Sequence, residues 1–137
     1  MSVAPGRRPR VAVIDDEPDV LTFLRLALED AGFEVLTSGS PAEVLSELAS
    51  FGADVICLDL LMPERMGLSL FVEIRRTPSM ARVPVVILSG LAGDALAALD
   101  TFGDLLPPAF CFEKPVDLGA FVARLKALAH GPHLEPA

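Results

Sequence analysis

The sequence predicts an α/β domain built on a doubly wound, five-stranded parallel sheet, and three observations carry that prediction. Short β-branched runs alternate with longer amphipathic stretches along the chain. Three runs, Val11-Ala12-Val13-Ile14, Val55-Ile56-Cys57-Leu58 and Val85-Val86-Ile87-Leu88, are continuously apolar. Each of these gives way at once to a polar residue that a plain core does not need. A strand that is apolar at every position is buried on both faces, which requires a parallel sheet with helices on each side. Alternating βα units join such strands by right-handed crossovers.

The elements follow in order. After the first strand, Val20, Leu21, Leu24 and Leu28 recur at helical spacing. Phe33–Thr37 reads as the second strand. Ser40-Pro41-Ala42-Glu43 has the form of a capping box with proline at the first helical position, and opens the second helix. The third strand leads to a helix over Gly67–Arg76, the fourth to a helix over Ala92–Phe102. Leu105-Leu106-Pro107-Pro108 then ends that helix and stiffens the connection, because proline cannot continue a helix. Phe110–Phe112 is the fifth strand. Leu118, Phe121, Val122, Leu125 and Leu128 mark the fifth helix, completing a (βα)5 order. Residues 1–9 and 131–137, rich in proline and without periodicity, read as loose tails around one domain over 10–130.

Composition bounds the function. The chain has 137 residues, enough for one domain with a proper core, and 52% hydrophobic against 22% charged residues is a globular balance. A net charge of −8 disfavours a nucleic-acid or anionic-membrane surface and suits a protein that binds cations or a basic partner. No apolar run approaches the roughly 20 residues that span a bilayer. The first ten residues carry three arginines and no apolar stretch, unlike a signal peptide. Cys57 and Cys111 have no metal or redox spacing, and both are expected to be buried, reduced thiols of a cytoplasmic protein.

The chemistry is expected where the strands end. In a parallel sheet all carboxyl ends share one edge, and ligands gather there near the reversal of winding. The first strand runs into Asp15-Asp16-Glu17, the third into Asp59, the fourth into Ser89 and the fifth into Lys114. Any one of these alone is more readily an N-cap, a turn former or a solvated charge. Brought together, the carboxylates repel unless a cation lies between them, and oxygen donors without His or Cys point to Mg²⁺. Lys114 supplies a compact positive charge for a phosphoryl oxygen and Ser89 a hydrogen-bond donor. Asp59 is left as the candidate nucleophile, since a carboxylate can form an acyl phosphate.

From Arg10 to Leu128 the chain resembles the receiver domains of two-component response regulators. The resemblance rests on Asp15-Asp16, on Asp59-Leu60-Leu61-Met62-Pro63 followed by Gly67, on Ser89-Gly90 and on Lys114-Pro115, at family spacing. It implies a flavodoxin-like fold with strand order 2-1-3-4-5. It implies that Asp59 accepts a phosphoryl group from a sensor histidine kinase, a phosphotransfer protein or a small phosphodonor. Asp16, Asp59 and the backbone carbonyl of Leu61 would bind Mg²⁺, with Asp15 acting through water. Ser89 and Lys114 would hold the phosphoryl oxygens, and Lys114-Pro115 would be a cis peptide. Such a domain is a signalling switch rather than an enzyme, catalysing only its own phosphorylation and dephosphorylation.

One residue departs from the family pattern. Where an aromatic switch residue is expected on the fifth strand, three positions before Lys114, stands Cys111; Phe110 and Phe112 turn to the other face. Ser89 and Cys111 are therefore the expected switch pair, with an altered relay. The resemblance implies that the positions two beyond Asp59 and two beyond Ser89 flank the path of an attacking water; here they are Leu61 and Leu91, which are expected to shield the acyl phosphate. Output is expected through a separate effector protein docking on the fourth helix, fifth strand and fifth helix, from a monomer or weak homodimer. A phosphate-independent interaction module on the same fold is the alternative. Enzymes of similar fold fit poorly. A flavodoxin needs a Ser/Thr-rich loop where Asp15-Asp16-Glu17 stands, and a haloacid-dehalogenase-type phosphatase a second aspartate at Leu61.

Overall fold

The computed structural model describes residues 7–38, 43–60, 67–90 and 103–130. In chain order these form β1 (Arg10–Ile14), α1 (Pro18–Asp30), β2 (Glu34–Ser38), α2 (Val44–Phe51), β3 (Val55–Asp59), α3 (Gly67–Arg76), β4 (Val85–Ser89), β5 (Phe110–Glu113) and α4 (Leu118–His130). All four strand pairings are parallel, and the sheet order is β2-β1-β3-β4-β5. This is the doubly wound, flavodoxin-like order. The expected helix over Ala92–Phe102 lies outside the described residues, as do Leu61, Leu91 and positions 40–42 of the expected capping box. At the described end of that box, Glu43 is the N-cap of α2 and its side chain makes no cap bond.

The apolar runs are buried as their composition requires. Val11 to Ile14, Val55 to Leu58 and Val85 to Leu88 are all 0–2% exposed. Alternation sorts them between two layers. Val11, Val13, Val55, Cys57, Val86 and Leu88 pack against Leu24 and Leu28 of α1 and Phe121 and Leu125 of α4. Ala12, Ile14, Ile56, Leu58, Val85 and Ile87 pack against Leu48 of α2 and Leu70, Phe71 and Ile74 of α3. The helices expected from periodicity thus bury the faces that the spacing marks.

The second strand starts one residue later than the pattern suggests. Gly32, at φ 99°, ends α1, and the Gly32 and Phe33 N–H groups donate back to the Glu29 and Leu28 carbonyls, both at 3.0 Å. Phe33 is therefore spent on closing the helix, and its fully buried ring caps that layer of the core. Before β1, Arg7 Nη2 bonds both Asp54 oxygens at 3.1 and 3.2 Å, and the Arg10 N–H donates to the same carboxylate at 2.8 Å. Both cysteines are free, but only Cys57 is buried. The expectation that both are buried fails for Cys111, because β5 is an edge strand with a neighbour on one side only. No helix among the described residues is long and apolar enough to cross a membrane.

Two features fix α3. At its start, Gly67 lies against the end of β3: its N–H donates to the Leu60 carbonyl at 3.1 Å, and a Cβ built there collides with the Asp59 carbonyl oxygen and Leu60 Cα. At its end, the buried Arg75 donates to four main-chain carbonyls: Val83 at 2.7 Å, Leu106 at 2.8 Å, Ala81 at 3.3 Å and Pro107 at 3.4 Å. Its guanidinium also lies over the Phe71 ring, 5.2 Å from the centroid. Burial lowers its pKa to about 10, so it stays charged at neutral pH. One cation thereby ties α3 to the segments entering β4 and β5.

Gly67→Ala should destabilise the fold by about 1–3 kcal/mol, because backbone atoms cannot yield to the added methyl. Gly90→Ala, with nothing among the described residues within 4 Å of its Cβ, should stay within about 0.5 kcal/mol in the same thermal melts. Arg75→Met, similar in volume but without donors, should cost about 2–3 kcal/mol, read as a lower urea midpoint at unchanged slope. A midpoint shift near zero would show that water replaces the guanidinium.

Candidate functional site

The carboxyl ends of β1, β3, β4 and β5 converge on one cluster. Asp15 directly follows β1, its N–H held by the Ser38 carbonyl at 3.2 Å, and the residue is completely buried. A buried carboxylate must be satisfied. Asp15 Oδ1 accepts from the Glu17 N–H at 3.0 Å, and Oδ2 accepts from Lys114 Nζ at 2.8 Å. Asp59 ends β3, is 3% exposed, and its Oδ2 lies 3.4 Å from the same ammonium.

Lys114 is held at both its backbone and its head. Its N–H donates to the carbonyl of Ser89, the fully buried last residue of β4, at 2.8 Å. Its Nζ reaches back to the ends of β1 and β3 and also meets Glu17 Oε1 at 3.3 Å. Burial alone would lower the Lys114 pKa, but the Asp15 hydrogen bond, the charges of Asp15 and Asp59 and the Glu17 hydrogen bond outweigh it and raise it well above the usual lysine value. The Lys114-Pro115 bond is cis.

The structure therefore gathers Asp15, Asp16, Asp59, Ser89 and Lys114 at one end of the sheet; Leu61 lies outside the described residues. It also adds a member. Among the described residues, Asp15, Asp16 and Glu17 offer carboxylate oxygens within 4.8 Å of one another, a group of hard donors suited to a divalent cation. Glu17 had been readable only as the third acid of a run. That it turns to Lys114, 97 positions away, is a product of the fold.

Two neighbouring features complete the surroundings. A cavity of about 510 Å³ opens beside Lys114, lined by Val20, Phe23, Leu24, Leu88, Pro115 and Val116. On β5, Cys111 packs on the α2–α3 layer while Phe112 packs on the other, edge-on to Phe121 with ring centroids 5.5 Å apart. Phe110 lies under the Arg124 guanidinium, 4.0 Å from its centroid. Chemically, the cluster offers a buried carboxylate at a strand end, a cation beside it and further oxygen donors.

Comparison with known proteins agrees with this geometry. The sequence profile of the response regulator receiver domain matches residues 11–105. The transcriptional regulatory protein PrrA of Mycobacterium tuberculosis is 38% identical over 122 residues, covering 88% of this chain and 49% of its own. The KDP operon transcriptional regulatory protein KdpE of Escherichia coli is 33% identical over 118 residues, covering 85% and 49%. The chain thus spans about half the length of these curated relatives. Among solved structures, a sensor protein from Polaromonas sp. JS666 superposes with a TM-score of 0.81 at 27% identity, covering 90% of this chain and 97% of that one. The receiver domain of the Francisella response regulator 1452 gives 0.75 at 25% identity, covering 88% and 96%. The chain belongs to the response regulator receiver domain family.

Proposed function

We propose that the chain is a phosphorylation-dependent switch of a two-component system, taking a phosphoryl group onto Asp59 from a histidine kinase or phosphotransfer protein. The observation that carries this reading is Lys114 Nζ, 2.8 Å from buried Asp15 and 3.4 Å from buried Asp59. In the transfer, an Asp59 carboxylate oxygen attacks phosphorus and the bond from phosphorus to the donor's leaving atom breaks. Little covalent chemistry is asked of the protein; positioning and charge stabilisation do most of the work. Lys114 offsets charge on a phosphoryl oxygen, and Ser89, at the end of the adjacent strand, donates to another.

The donor set fits Mg²⁺. Asp16 and Asp59, with the Leu61 carbonyl, would hold the ion. Both Asp15 oxygens already accept hydrogen bonds, which suits a role through water. When bound, the ion neutralises carboxylate and phosphoryl charge. Output would pass to a separate effector through the surface formed by the Ala92–Phe102 segment, β5 and α4. A phosphate-independent docking module is the second reading, favoured by Cys111 in place of an aromatic.

Intact mass spectrometry after incubation with Mg²⁺ and acetyl phosphate should show one phosphoryl adduct on the wild type and none on Asp59→Asn. An adduct of equal size and rate on the variant would assign the acceptor elsewhere; no adduct on the wild type would favour the docking module. Mg²⁺ at ten times its dissociation constant should stabilise the protein by about 1.4 kcal/mol. Asp16→Ala should raise the metal-free melting temperature by roughly 2–5 °C through relief of repulsion, while shrinking the Mg²⁺-dependent rise. A full Mg²⁺ response in that variant would remove Asp16 from the ligand set.

A further inference from the structure

Glu17 stands at the N-cap of α1, with φ −96° and ψ 110°, and its side chain makes no cap hydrogen bond. Glutamate is a weak choice there, since Ser, Thr, Asp and Asn supply the side-chain oxygen that an N-terminus lacks. Its main chain serves the helix fully: the carbonyl accepts from Leu21 at 3.1 Å and the N–H donates to Asp15 Oδ1 at 3.0 Å. The carboxylate instead turns to Lys114, with Oε1 3.3 Å from Nζ, while its side chain stays 59% exposed. An ion pair so exposed adds little stability. Neither capping nor stability accounts for this side chain.

The charge count does. Asp15, Asp16, Glu17 and Asp59 bring four formal negative charges to the cluster, and among the described residues Lys114 brings one positive. Asp15 is buried and holds Lys114 most closely, at 2.8 Å. Asp59 is buried and lies farther from Nζ, at 3.4 Å, than the exposed Glu17 does, at 3.3 Å. A phosphodonor arrives as an anion and must draw on the same ammonium. Glu17 both competes for that ammonium and adds repulsion on the solvent side of the site.

We infer that Glu17 is a positioning residue acting through Lys114, an electrostatic brake that shares the lysine with Asp15 and Asp59 and slows phosphoryl transfer from anionic donors. This rests on Asp59 being the phosphoacceptor. The brake is an effect of charge, so it weakens as salt screens the exposed carboxylate. It also separates from stability. Glu17→Gln keeps the shape and removes the charge, whereas Glu17→Ser removes the charge and supplies a side-chain cap.

The test follows adduct formation by intact mass in Mg²⁺ and acetyl phosphate, at low and high ionic strength, for wild type, Glu17→Gln and Glu17→Ser. Both variants should be phosphorylated about two- to five-fold faster at low salt, a size typical of exposed charge pairs, through a lower KM for the donor. The advantage should shrink at high salt, with Mg²⁺ saturating for each protein because Glu17 lies among the possible donors to the cation. Glu17→Ser should also melt higher than Glu17→Gln, which separates the helix cap from the brake. Slower transfer with a weakened Mg²⁺ midpoint would overturn the inference in favour of a metal ligand. Equal rates in all three proteins would overturn it while leaving Asp59 as acceptor. No adduct on any of them would remove the acceptor and the brake together.

Discussion

A sheet covered by helices on both faces leaves its polar chemistry only at the strand ends, and the structure depends on this constraint. Val11 to Ile14, Val55 to Leu58 and Val85 to Leu88 have no solvent-facing side, so a charged residue within them would be buried without a partner. One residue past the apolar run, the situation changes. Asp15, Asp59, Ser89 and Lys114 all stand at the carboxyl edge, where four parallel strands bring them together. Parallel pairing is what makes the edge common: an antiparallel neighbour would send its polar end to the opposite side.

Within that edge the arrangement is electrostatic. Lys114 is the hub, because its ammonium is shared by carboxylates arising from β1, from β3 and from the start of α1. Its backbone is fixed by the Ser89 carbonyl, so the side chain reaches from a held base. Asp15 completes its hydrogen bonding with the Glu17 N–H, a local turn that also starts α1. The beginning of one helix and the satisfaction of a buried carboxylate are the same interaction.

The opposite end of the sheet is held by different means. Arg75 uses carbonyl dipoles rather than carboxylates, joining the segments before β4 and β5 to the last turn of α3. The first turn of α3 meets the backbone of Asp59 through Gly67. This helix therefore touches the carboxyl end of β3 and the entry to the edge strand β5.

The sequence alone determined the layers. Unbroken β-branched runs can only be strands covered on both sides, and 3.6-residue spacing in Leu24, Leu28, Phe121 and Leu125 marked the helix faces that cover them. It also determined which residue types stand at the strand ends, since a polar residue after a buried run is visible without coordinates. What it left open were partners chosen across the fold. Arg75 and Arg76 are adjacent and chemically alike, yet one is buried among carbonyls and the other exposed, a distinction set by how α3 is rotated against the segments entering β4 and β5. The start of β2 was decided by how α1 closes at Gly32, and the partial exposure of Cys111 by the place of β5 at the sheet edge. Glu17 read as one more acid in a run. Only the tertiary structure, by carrying Lys114 across 97 positions of sequence, decided that its charge belongs to the site.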